Sequence, residues 1–175
     1  VMPPNHPSQK IPSDLPTVKY TDALPPSTRV LRQFRIVFNA VKTHFRTVEK
    51  AAGIGGAQVW ALSVIGKNPG IGIGDLAKEL DVHQTTASNL VKVLMAQNLV
   101  KQGKSETDRR AVTMQLSVEG QQRLKKAPLP FAGVLPNALS SMDEQTLARM
   151  EQDLGTLIAI LAADKDSANT PLAEL

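Results

Sequence analysis

Leu76-Ala-Lys-Glu-Leu80, Asp81-Val82, His83-Gln-Thr-Thr-Ala-Ser-Asn-Leu-Val-Lys-Val-Leu-Met95 and, further on, Ser105-Glu-Thr-Asp-Arg-Arg110 are the segments whose reading decides the fold. Two short helices separated by a polar break, followed by a hairpin with a basic tip, can set one helix in a DNA major groove and a second probe in the neighbouring minor groove. The second helix is expected over residues 84–98. Its Ala87, Leu90, Val91 and Leu94 fall on one face at helical spacing, leaving Gln84, Thr85, Ser88, Asn89 and Lys92 on the other. Gln and Asn amides match the N7 and N6 edge of adenine, Ser and Thr reach bases or phosphates, and Lys92 can neutralise a phosphate or contact guanine. The alternative is an ordinary solvated helix face. Such a face is more often rich in paired Glu and Lys, and no acidic residue stands between Gln84 and Asn98.

After this helix come Leu99-Val-Lys-Gln102 and, past the tip, Ala111-Val-Thr-Met-Gln-Leu116. Val112, Met114 and Leu116 alternate with Thr113 and Gln115, the period of a half-buried strand. Lys101, Lys104, Arg109 and Arg110 make the hairpin basic. Asp108 can hold the Arg110 guanidinium in a charge-assisted bond, presenting it already ordered to a narrow, electronegative minor groove.

Working outward, Ser27 is the expected N-cap of a first long helix, on which Leu31, Phe34, Phe38, Val41, Phe45, Val48 and Ala52 repeat in alternating steps of three and four. Such a seam needs a partner seam. Gly53-Ile-Gly-Gly56 stops this helix, and residues 57–66 form another with Val59, Leu62 and Ile65 inward and Gln58 and Ser63 outward. Asn68-Pro-Gly70 breaks it. Ile71-Gly-Ile-Gly74 lacks the third glycine of a dinucleotide loop and the Lys-Ser/Thr of a P-loop, so it reads as a flexible lead-in to the helix Ile73 to Leu80. Ser117 is a good N-cap, with Glu119 near the positive end of its helix; Pro128, Pro130 and Pro136 interrupt or end regular helix. Ser141-Met-Asp-Glu144 has the form of a capping box, beyond which Leu147, Met150, Leu154, Leu157 and Leu161 repeat the three-four seam. Residues 1–28, holding seven of the twelve prolines, read as an extended or disordered arm, and 164–175 as a polar, frayed tail.

The chain's 175 residues suit one domain with added arms, and 42% apolar content with only 3% aromatics favours packed helices over a sandwich or barrel. Without cysteine there is no disulfide, no thiolate catalysis and no Cys-ligated zinc. No apolar run approaches a membrane span and the N-terminus lacks a secretory layout, so a soluble, cytoplasmic protein without membrane association is expected. The net charge of +4 is unevenly spread: residues 29–50 and 84–126 each carry +5, whereas 142–175 carry −5. A polyanion would be drawn to the middle of the chain and repelled by its end. His6, His44 and His83 are scattered, no His-Glu metal spacing occurs and no nucleophile has a recognisable partner, so neither an enzyme nor a cofactor is expected.

The stretches Gly74-Asp-Leu-Ala-Lys-Glu-Leu80, Thr85-Thr-Ala-Ser-Asn-Leu-Val-Lys-Val-Leu-Met-Ala-Gln-Asn-Leu-Val100 and Asp108-Arg-Arg-Ala-Val-Thr-Met-Gln-Leu-Ser-Val-Glu-Gly120 resemble the multiple-antibiotic-resistance (MarR) type regulators, bacterial winged helix-turn-helix repressors that act as homodimers. The resemblance covers roughly residues 28–162. It implies a mainly α fold with a small β-hairpin wing, in which first and last helices intertwine across a dimer. It divides the chain into an arm (1–28), a family domain (29–163) and a tail (164–175), with dimerisation helices at 29–52 and 117–163 around a DNA-binding lobe at 57–116. Base reading falls on Gln84, Thr85, Thr86, Ser88, Asn89 and Lys92, and the wing on Lys104, Asp108, Arg109 and Arg110. Dimerisation falls on Leu31, Phe34, Phe38, Leu147, Met150, Leu154, Leu157 and Leu161. The expected partners are pseudo-palindromic double-stranded DNA, a second copy and a small aromatic effector that relieves repression; His44, Arg46 and Trp60 are candidates to line its pocket. His83 replaces the family's usual small polar N-cap, and Asn98 replaces a turn glycine and must adopt a left-handed conformation. The competing reading is a winged helix used only for protein association.

Overall fold

The structure, a computed structural model, describes residues 24–104 and 112–174. In chain order the elements are α1 (Pro26–Ala52), α2 (Gly56–Lys67), β1 (Ile71–Gly72), α3 (Ile73–Glu79), α4 (Gln84–Ala96), β2 (Val100–Lys104), β3 (Val112–Leu116), α5 (Val118–Lys126), α6 (Val134–Ser140) and α7 (Glu144–Leu161), then two 3-10 turns, Lys165–Asn169 and Leu172–Glu174. They fall into two compact units. One comprises Val41–Gly133 with Lys165–Leu175, the other the chain up to Ala40 with Val134–Asp164.

The larger unit is a helix-turn-helix on a three-stranded antiparallel sheet of order β1-β3-β2. Its core joins Val48 of α1, Val59, Leu62 and Ile65 of α2, Leu76 of α3, Leu80, Leu94 of α4, Leu99 and Met114 of β3. Two expectations change here. Ser63 is buried, because α2 is enclosed on nearly every side; its hydroxyl donates to the Trp60 carbonyl at 2.7 Å and so needs no water. Residues 71–72 are a strand, with Ile71 opposite Met114 and Gly72 opposite Thr113, where a flexible lead-in was expected. A two-residue strand has no period to read; it exists because β3 offers it a free edge.

α1 begins at Pro26, one residue before the expected cap at Ser27, and proline at the first helical position loses no bond. It ends as expected at Gly53, whose φ of +69° is the left-handed conformation that glycine tolerates and whose N–H donates to the Glu49 carbonyl at 2.8 Å. Arg123 of α5 completes this end by donating to the Ala52 carbonyl at 3.1 Å while its Nε bonds Glu119 at 2.9 Å. α5 packs on α2 and β3, so the compact unit reaches beyond residues 57–116. The last residues are also part of it. Pro171 is buried, and Ala173 packs against Gly56, on which the Phe45 ring also rests. The polar, frayed tail expected from composition is therefore docked over its final turn.

In the smaller unit α7 starts at Glu144, and its cap is Asp143 in place of the expected Ser141-to-Glu144 box. The Asp143 carboxylate accepts from the Thr146 N–H at 2.9 Å and the Thr146 hydroxyl at 2.7 Å, while Ser141 donates backwards to the Asn137 and Ala138 carbonyls. Pro136 lies inside the first turn of α6, where its missing N–H costs nothing. α7 buries none of its residues, and Leu31, Phe38, Leu154 and Leu161 of the two seams are exposed.

α4, the wing and α5 meet at one node. Asn98 has the expected left-handed conformation at φ 57°, and its carbonyl accepts from the Ser117 hydroxyl at 2.6 Å. The same oxygen of Ser117 caps α5 by accepting from the Gly120 N–H at 2.9 Å, and the Ser117 N–H donates to the Leu99 carbonyl at 3.0 Å. A Cβ on Gly120 would overlap that Leu99 carbonyl oxygen.

Two outcomes follow for stability. Gly120→Ala should cost about 2 kcal/mol in chemical denaturation, because backbone must move to admit the methyl group, and Ser117→Ala about 1 kcal/mol for the lost cap; wild-type midpoints in both would contradict the node. The two bonds from Thr146, the side-chain one first, hold the Asp143 carboxyl below its ordinary value of 3.8. A depressed folded pKa adds stability above the ordinary value, which is lost as pH falls through the folded one. Followed by NMR, Asp143 should titrate below 3.8, and Thr146→Val should move it back; an unshifted wild-type midpoint would contradict the cap.

Candidate nucleic-acid interface

Four buried residues of α4, namely Ala87, Leu90, Val91 and Leu94, fasten the helix to the core. They fix its rotation about its own axis, and with it what the other side presents. Gln84, Thr85, Asn89 and Lys92 are exposed, and Thr86 and Ser88 are half-buried. All six residues expected to read bases lie on this one helix. Four are exposed, and the two half-buried ones flank the packed face.

The N-terminus of α4 is open. His83 occupies the N-cap with φ −62° and ψ 146°, and its side chain caps no backbone N–H. It is itself exposed, beside Gln84 and Thr85. The free amides of the first turn and the positive end of the helix dipole therefore point outward with the polar side chains. The other end is fixed: Gln97 donates to the Val93 carbonyl at 3.1 Å, Asn98 to Met95 at 2.9 Å and Leu99 to Leu94 at 2.8 Å. The chain leaves α4 directly into β2.

β2 and β3 pair in continuous register from Val100 opposite Leu116 to Lys104 opposite Val112. The hairpin expected from the alternation is present, with Met114 buried and Thr113 half-buried, so its base is anchored in the core. Lys101 is exposed on β2. Lys104 ends β2 by its backbone, while Asp108, Arg109 and Arg110 lie outside the described residues. Asp75 and Lys78 of α3 pair at 3.3 Å, both well exposed, a contact of little energetic weight.

The three candidate effector residues differ in their exposure. His44 is half-buried, with Nε2 3.0 Å from the Pro130 carbonyl; since a carbonyl only accepts, that nitrogen carries the proton. Arg46 is exposed, and Trp60 packs half-buried against the core. A cleft of about 540 Å³ in this unit lies among α2, β3 and α5, with Ile65, Leu116, Leu124 and Phe131 as its apolar lining and Lys67 and Lys125 as its cations. None of His44, Arg46 and Trp60 lines it. Sequence periodicity had no access to this cleft, because its walls bring α2 against β3 and α5, which lie far along the chain from it. Among the described residues no helix is long and apolar enough to cross a membrane, and no cluster of His, Cys, Asp and Glu could hold a metal ion.

Residues 52–111, which take in α2, β1, α3, α4 and β2, match the MarR family model. A Thauera aromatica protein named as a transcriptional regulatory protein for the hcr operon is 28% identical over 123 residues, 70% of this chain and 69% of that one. Among solved structures, a Staphylococcus aureus MepR–DNA complex superposes with a TM-score of 0.51 at 19% identity, covering 79% of this chain and 99% of MepR. A MepR-like protein complexed with pseudoligands gives 0.50 at 19% identity, over 77% and 94% of the two chains. The helix-turn-helix and the three-stranded sheet agree with the fold of these structures, and residues 52–111 carry the segment similar to the MarR family.

Proposed function

We propose that the chain is a homodimeric transcriptional regulator that binds double-stranded DNA, with α4 in the major groove and the β2–β3 wing at the minor groove. The observation that carries this reading is the outer face of α4. Gln84, Thr85, Asn89 and Lys92 are exposed on a helix with no acidic residue, rotated into place by four buried apolar ones. A phosphate-lined groove repels carboxylates and rewards donors and short amides, and this face has that composition. The MepR complex shows the same fold on DNA, which supports the docking mode. A protein-association role would not require the acid-free face.

Lys104, Arg109 and Arg110 supply the charge of the wing sequence. A two-fold arrangement of two such lobes reads a pseudo-palindrome with half-sites about 10 base pairs apart. The exposed seams of α1 and α7 are the surfaces for that arrangement. Repression relieved by a small aromatic effector follows if the effector binds one dimer spacing better than the other.

Fluorescence anisotropy with duplex DNA tests this. Affinity should fall steeply between about 50 and 200 mM salt, and a salt-independent or absent interaction would contradict the reading. Replacing Ser88 and Asn89 together by Ala should cost about 2 kcal/mol on a preferred sequence and much less on random DNA, since base contacts specify and phosphate contacts do not. Arg110→Ala should weaken binding about tenfold while leaving the dimer intact in sedimentation, from the loss of one charge-assisted groove contact; unchanged affinity would remove Arg110 from the interface.

A further inference from the structure

Two segments of the chain each carry +5, and the DNA interface proposed above takes up only residues 84–126. The other, residues 29–50, lies almost wholly on α1, which turns its charges to one side. At about 100° per residue, Arg32, Arg35, Lys42, Arg46 and Lys50 fall within an arc of about 80°, and from the first to the last the stripe runs about 27 Å. All five are exposed, as is Asn39 between them. The one carboxylate of α1, Glu49, stands at the edge of the stripe, and among the described residues none of the five cations forms an ion pair. Arg32 and Arg35 are three residues apart, and Lys42 and Arg46, then Arg46 and Lys50, are four apart. Like charges at these spacings repel and weaken a helix. A solvated face selected for stability alternates its signs, so this one is held against its own repulsion.

The packing of α1 narrows the class of partner. A bilayer takes a cationic helix by inserting the apolar face opposite its charges. Over the last turns of α1 that face is already used: Val48 and Ala52 are each 1% exposed in the core, and the Phe45 ring rests on Gly56. The cations of the same turns, Lys42, Arg46 and Lys50, stay exposed. A partner that engages the charges along the whole stripe and no apolar residue is a linear polyanion. Three of the five cations are arginines, whose planar fork matches a phosphate in two parallel bonds. We propose that the α1 stripe binds the phosphate backbone of duplex DNA without reading bases, as a second contact beside that of α4. This inference rests on the DNA-binding reading and adds a sequence-independent surface to it.

Fluorescence anisotropy of the full chain on a preferred duplex and on a random one, each over a range of salt, separates the two surfaces. The variant Arg32→Gln/Arg35→Gln/Lys42→Gln should reduce the slope of log affinity against log salt by about 2.7 per copy, because each neutralised phosphate contributes about 0.9. Its affinity for random duplex should fall about tenfold or more at 50 mM salt, while the ratio of preferred to random affinity stays within about threefold of wild type. Replacing Ser88 and Asn89 by Ala should do the reverse, removing the preference and keeping the slope. Arg32→Lys/Arg35→Lys, which keeps the charge, should keep the wild-type slope. A wild-type slope in the triple Gln variant would overturn the stripe and leave the α4 reading standing. If that unchanged slope came with a weaker dimer in sedimentation, the cations would belong to an acidic surface of a second copy. If it came with lost binding to phosphatidylglycerol vesicles, they would belong to a lipid surface. A wild-type chain that binds neither duplex would overturn both readings.

Discussion

The hydrogen bond from the Ser117 hydroxyl to the Asn98 carbonyl, 2.6 Å long, joins the end of α4 to the start of α5 across nineteen residues. The turn after α4, the β2–β3 hairpin and the start of α5 converge there. The left-handed turn at Asn98 directs the chain from α4 into β2; the Ser117 N–H closes β3 back onto Leu99; the Ser117 oxygen starts α5 through Gly120. One small side chain acts as donor to a turn and acceptor for a helix, and it is buried, so both bonds are shielded from water. The glycine at 120 is required because α5 begins in contact with the Leu99 carbonyl. The orientation of α4 relative to the base of the wing is thus set by contacts that do not involve the exposed side chains of α4.

A second constraint acts on the smaller unit. Its apolar seams, built on the same three-four spacing as a coiled coil, expose Leu31, Phe38, Leu154 and Leu161, and α7 buries nothing. Phe34 and Phe38 stack at 6.1 Å between ring centres along α1, which stiffens that face without covering it. Large exposed apolar faces on long helices are unfavourable in water and favour association. The larger unit thus carries the exposed polar face of α4, and the smaller one carries exposed apolar residues on α1 and α7.

Much of this was legible in the sequence, where periodicity is long and each element meets its own pattern. The seam of α1, the inward face of α4, the alternation of β3, the caps at Gly53 and Ser117 and the left-handed turn at Asn98 all follow from local rules. What escaped was decided by tertiary neighbours. Ser63 looks outward by spacing, yet α2 is enclosed; β1 is too short to show alternation; Ser141 fits a capping box, yet Asp143 lies nearer the amides and takes the role. The docking of Ala173 on Gly56 has no local signature, since a polar tail is defined by composition and a small-residue socket by shape. For the candidate interface, the exposed polar face of α4 was readable because a buried face implies its opposite. The cleft among α2, β3 and α5 was not, for want of any local pattern.

The central claim is that two copies of the α4 face read DNA together. Selection of bound duplexes from a random pool by the full chain tests it most directly. The account predicts enrichment of one inverted repeat with half-sites about 10 base pairs apart. Failure to enrich any sequence, or enrichment of a single site without an inverted mate, would contradict it.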